Sequence, residues 1–179
     1  MKRLSALLMA GVMSLSSGAL ASAANMSIYV REYDNQTGIF NFPMEKTPAA
    51  IVTTQDGDTI YSAIHRAQTT LGSISSDWTS STNSDGSIDW YLNEFSVTRG
   101  DDSYSAANDG KNKNPIYDNK GNMTGATWSG DSWMWVESST LNDLAYPGET
   151  MSDVQCPSTD FSIILSYDHS EFKWGTAAK

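Results

Sequence analysis

His65, His169 and Cys156 are the only histidines and the only cysteine of this chain. A zinc site needs three or four nitrogen or sulfur ligands, usually at short spacings. Neither histidine nor Cys156 has a second such residue close by in sequence. Cys156 with His169 would make a nucleophile and its base, but an idle or buried thiol is the simpler reading. A Ser–His–Asp triad assembled from distant residues stays open, although no nucleophile elbow occurs. Glu94 with Glu137 as paired glycosidase carboxylates has no motif behind it. Walker loops and dinucleotide fingerprints are absent. Residues 81–92 have the spacing of a calcium loop, with Ser81, Asn83 and Asp85 as the first ligands and Gly86 at the sixth position. Leu92 stands where the bidentate carboxylate belongs, so a hairpin turn at Asp85-Gly86 is preferred. Asp101, Asp102 and Asp109 read as a solvated acidic loop. No catalytic residue, metal ligand or cofactor is expected, and the chain reads as non-enzymatic.

Binding is the better-supported chemistry. In SWMWVE, strand alternation puts Trp133 and Trp135 on one face and Met134 and Val136 on the other. One of these faces must meet the core. Burial is the usual fate of Trp in a small domain. If Met134 and Val136 face inward instead, the two indoles form a flat apolar platform for a sugar ring or another planar ligand. On that reading the ligand site comprises Trp133, Trp135, Trp128 and Tyr146, with Asp131, Asn142 and Asp143 as polar edges.

Charge and the N-terminus bound the setting. Lys2 and Arg3 precede an apolar stretch, and Ala21-Ser22-Ala23 follows, the order of a secretory signal. Residues 1–24 are read as a signal peptide, with residues 1 to about 23 lost on export. The apolar run is too short and too broken by serines for a transmembrane anchor. Losing Lys2 and Arg3 takes 11 basic residues to 9 against 21 acidic, and the net charge from −10 to −12. That sign repels nucleic acid and anionic membranes. The expected location is extracellular or periplasmic, and the expected partner a small molecule, a glycan or a surface protein. One cysteine allows no internal disulfide. Stability must come from a core, for which six Trp, eight Tyr and five Phe are available.

The elements that position these residues follow from periodicity. MSIYVREY (26–33) alternates as a half-buried strand with Met26, Ile28 and Val30 inward. AIVTT (50–54) is a second. Ile60, Ile64, Ala67 and Leu71 share one helix face, with Asp58 as N-cap and Gly72 as stop. Residues 73–87 and 99–115 read as polar loops, with strands over 88–97. A hairpin is expected around 118–122 and a strand over 132–137. FSIILSY (161–167) is the last strand, and 168–179 a weakly ordered tail. The prediction is one α+β domain over 25–179: a β-grasp-like arrangement, one amphipathic helix packed on a mostly antiparallel or mixed sheet, with long loop insertions.

Three segments also carry a family likeness. AIVTTQDGDTIYSAIHRA resembles the strand–turn–helix of transcobalamin-like C-terminal domains, GDSWMWVESS their Trp-bearing strand, and FSIILSYD their final strand. Glu137-Ser138-Ser139 stands where that family has Asn-Gly, and Pro157-Ser158-Thr159-Asp160 replaces its acidic turn. The likeness implies a secreted β-grasp module that binds a ligand, cobalamin-like in some members. A surface protein working through sheet edges and a small secreted hydrolase are the alternatives.

Overall fold

A computed structural model describes residues 23–175, without the side chains of Phe172 and Trp174. The expected leader therefore lies outside the described residues except for Ala23 and Ala24, as do residues 176–179. Ala24 is already buried, and its carbonyl accepts both the amide and the hydroxyl of Thr54.

The fold is α+β. Its strands are β1 (Asn25–Asp34), β2 (Ile39–Asn41), β3 (Ala50–Thr53), β4 (Ile74–Thr82), β5 (Ile88–Arg99), β6 (Asp102–Ala107), β7 (Lys111–Tyr117), β8 (Met123–Glu137) and β9 (Phe161–Gly175). The helix α1 (Ile60–Leu71) follows β3. The main sheet runs β2-β1-β9-β8-β7, with β3 also on β1. β1 and β9, first and last in sequence, pair in parallel from Met26 opposite Phe161 to Asp34 opposite His169. Every other pairing is antiparallel.

The expected inward faces meet. Met26, Ile28 and Val30 join Ile163 and Leu165 in one core with Ile60, Ala63, Ile64 and Ala67 of α1. Leu71, expected on that face, is 45 % exposed at the helix end. The N-cap is Thr59, not Asp58. The Thr59 hydroxyl accepts the Ser62 amide, the Ser62 hydroxyl accepts the Thr59 amide, and Gly72 closes the helix in the left-handed region. Asp58 instead receives Arg66 at 2.6 Å, the Gln55 amide and the Ser62 hydroxyl.

Three segments read as loop or tail are strands. β4, β5 and β6 form a separate antiparallel sheet within the insertion after α1. In β4 only Ile74, Ser76 and Trp78 turn inward, and in β6 only Tyr104 and Ala106. A strand covered on one side by so few apolar groups has too weak a period-2 signal to be read. β7 is exposed along its length and carries no apolar pattern at all. The segment expected as a tail continues β9 as far as Gly175, opposite Gly125 of β8. The 118–122 hairpin forms as expected, and so does the 83–87 turn, closed by the Asn83 amide on the Ser87 carbonyl.

Candidate ligand-binding cleft

β7 reaches β8 only as far as Ser129. Beyond that point no strand of the described residues pairs with the outer edge of β8. Asn108 and Asp109 cap its start, their side chains accepting the amides of Trp133 and Asp131 at 2.8 Å each. The chain can pass that close because Gly130 meets Gly110: a Cβ on Gly130 would strike the Gly110 backbone at 2.5 Å. Farther along, the 146–151 segment crosses the edge, and the Trp135 indole N–H donates to the Glu149 carbonyl. Between these covers lies a cleft of about 320 Å³.

Trp133 and Trp135 form its inner wall, each only 8 % exposed. The pair therefore belongs to the core, and the exposed-platform reading is corrected. Trp133 packs edge-on against Phe95 at 5.8 Å and Tyr104 at 6.2 Å, and tilts against Tyr167 at 5.1 Å. Of their two strand neighbours, Met134 is exposed and lines the cleft, whereas Val136 is buried. β5 supplies the opposite wall through Asp89, Trp90 and Tyr91. Trp90 stacks on Tyr61 of α1 at 5.1 Å, and Tyr61 in turn meets Trp78 edge-on at 4.8 Å. Tyr91 is 47 % exposed and leans into the opening.

Tyr146 closes one end and is held from behind. Arg31, on the face of β1 opposite Met26, Ile28 and Val30, is completely buried. It donates to the Ser166 hydroxyl at 2.7 Å, the Leu141 carbonyl at 2.6 Å and the Tyr146 hydroxyl at 3.0 Å. The Tyr146 and Ser166 hydroxyls both donate to Asp168. Burial, then the Asp168 contact, pushes the Tyr146 phenol up to about 12. Burial also raises the Asp168 carboxyl, against the pull of its two hydroxyl donors and Arg31. A buried charge needs such partners, and here they fasten the 141–146 strap to the sheet.

The cleft mouth is acidic. Asp89, Glu149 and Asp153 lie on it, and among the described residues no Lys, Arg or His does. Partial burial and the charges of Asp89 and Asp153 raise the Tyr91 phenol.

Three of the seven expected site residues, Trp133, Trp135 and Tyr146, come together here. Four do not. Trp128 sits farther along β8, its ring over Gly110. Asp143 caps the Ala145 amide, and Asn142 is exposed on the same strap. Asp131 lines a separate hollow and holds His169 at 2.6 Å. Sequence reasoning missed Trp90, Tyr91 and the three carboxylates. The Asp89-Trp90-Tyr91 run was the available signal, but its partner segment 146–153 has no periodicity to place it.

The Asp131–His169 pair has a base and its orienting acid, and among the described residues the hollow is lined by Thr37 but by no serine or cysteine. Cys156 is near Asp58 and Arg66 instead, and burial, then Asp58, pushes its thiol up to about 11. A thiol so raised is a poor nucleophile. Among the described residues no group of three or more His, Cys, Asp or Glu is arranged to hold a metal ion, and no helix is long and apolar enough to cross a membrane. Comparison with protein-family models, curated proteins and solved structures finds no match.

Proposed function

We propose that this chain is an exported, non-enzymatic binding domain of β-grasp type, and that its ligand site is the aromatic cleft beside β8. The observation that carries the reading is the cleft itself: a preformed apolar hollow with convergent polar groups at one mouth is the usual form of a small-ligand site. Export rests on the basic–apolar–small order of residues 1–24. The β-grasp assignment is supported by the parallel β1–β9 pair flanked by antiparallel neighbours, with one helix on the face that carries Met26, Ile28 and Val30. The likeness to transcobalamin-like domains agrees with that order and adds a ligand-binding role; cobalamin is the ligand it suggests, and a glycan is the ligand the aromatic side chains suggest.

Sheet-edge pairing with a surface protein is the second reading, and the two end strands of the main sheet argue against it. β2 has only three residues. β7 carries Lys111, Lys113 and Pro115, features that blunt an edge against strand addition.

The proposal is tested by screening the protein against glycans, cobalamin and small organic ligands, in parallel with Tyr91→Ala. Because Tyr91 is half exposed, its loss should leave the fold intact and weaken a cleft ligand by more than about tenfold, as expected of an aromatic hot spot. A ligand that binds Tyr91→Ala and Met134→Ala as tightly as the parent would place the site elsewhere.

A further inference from the structure

The cleft mouth carries three carboxylates with no cation among them. Two arginines are engaged elsewhere: Arg66 holds Asp58, and Arg99 lies between Glu45 and Asp102. At the cleft, Asp89 is met only by neutral groups, Asn83 and Tyr91, and Asp153 by Thr150. None of Asp89, Glu149 or Asp153 forms an ion pair with a described residue. The walls behind them are the aromatic groups Trp90, Tyr91 and Trp135. Carboxylates of one sign around a low-dielectric hollow focus the field and concentrate counter-ions there. Aromatic rings at the same place add attraction for a cation that sheds water easily.

Resting on the reading of this cleft as the ligand site, we infer that its ligand is an organic cation: an ammonium group with an apolar body. The apolar body lies against Trp90 and Trp135, and the ammonium faces Asp89, Glu149 and Asp153. A strongly hydrated metal ion does not suit the aromatic walls, and an anion meets only repulsion.

The test compares choline with its uncharged isostere 3,3-dimethylbutan-1-ol, titrated into the protein while indole fluorescence and the indole N–H resonances are followed. Choline should bind at least roughly tenfold more tightly than the isostere. The double variant Glu149→Gln/Asp153→Asn should weaken choline by a similar factor and leave the isostere unaffected. Both are mouth residues, so an unchanged melting temperature checks the fold. Equal binding of the two probes, or full choline affinity in the double variant, overturns the inference. If neither probe binds but a neutral glycan or cobalamin shifts the Trp90 and Trp135 signals, the cation is wrong and the site stands. If no compound of any class shifts them, both fall.

Discussion

Trp133 shows how a residue can be central to a site without being exposed on it. Its indole is wedged among Phe95, Tyr104 and Tyr167, and its N–H donates to the Ala106 carbonyl at 3.1 Å. Truncating it to Ala should cost about 3–5 kcal/mol in stability through lost packing and a residual cavity. A denaturation midpoint unmoved by Trp133→Ala would mean that the ring is not core. Asp58 makes a different residue-scale prediction. Burial alone would raise its carboxyl, but Arg66, the Gln55 amide and Ser62 outweigh burial and hold it below its ordinary value of 3.8. A carboxyl depressed in the folded state contributes stability above its unfolded pKa, and that contribution is lost as pH falls through the folded value. Asp58→Asn should therefore cost about 1.5–3 kcal/mol near neutrality. The gap between parent and variant should narrow below pH 4; a gap constant from pH 7 to pH 3 in urea titrations would contradict this. Alternation in SWMWVE was enough to pair Trp133 with Trp135 and oppose them to Met134. It could not say which face is inside, because that depends on β5 and β6 arriving from a distant insertion.

At the scale of elements, apolar spacing decided what could be read. α1 and the inward faces of β1 and β9 were legible because each buries a regular stripe. The isoleucine at the centre of that packing, Ile64, is fully buried. Ile64→Ala should cost about 2–5 kcal/mol, whereas Leu71→Ala, at an exposed helix end, should stay within about 0.5 kcal/mol. Equal costs at the two positions would refute the observed helix orientation. β4, β6 and β7 were not legible, since a strand held mainly by backbone hydrogen bonds leaves little mark in hydrophobicity. Gly130 is a further element-scale case. It has φ near 146° and its α-carbon faces Gly110. Gly130→Ala should destabilise by about 1–3 kcal/mol and disturb the Asn108 and Asp109 caps on β8. Amide exchange at Asp131 and Trp133 no faster than in the parent would show that those caps do not depend on the close approach.

For the whole molecule, the first and last described strands lie side by side, so the main sheet cannot close until β9 is present. Ala24 is buried and tied to Thr54, so a cut made on the proposed export must leave it in place. The exported product should start at or next to Ala24, and N-terminal sequencing of material recovered outside the cytoplasm checks it; an intact Met1 there would contradict export by cleavage. The cleft also exists only at this scale, drawing on β5, β8 and the strap and crossing segment over 141–153. The measurement that tests its role most directly is a set of indole N–H resonances recorded during a ligand screen. Trp90 and Trp135 line the cleft, and Trp128 lies away from it on the same strand as Trp135. The account predicts that a bound ligand moves the Trp90 and Trp135 signals and leaves Trp128 in place. A ligand that moves Trp128 alone, or binds without moving any of the cleft indoles of Trp90, Trp133 and Trp135, would contradict it.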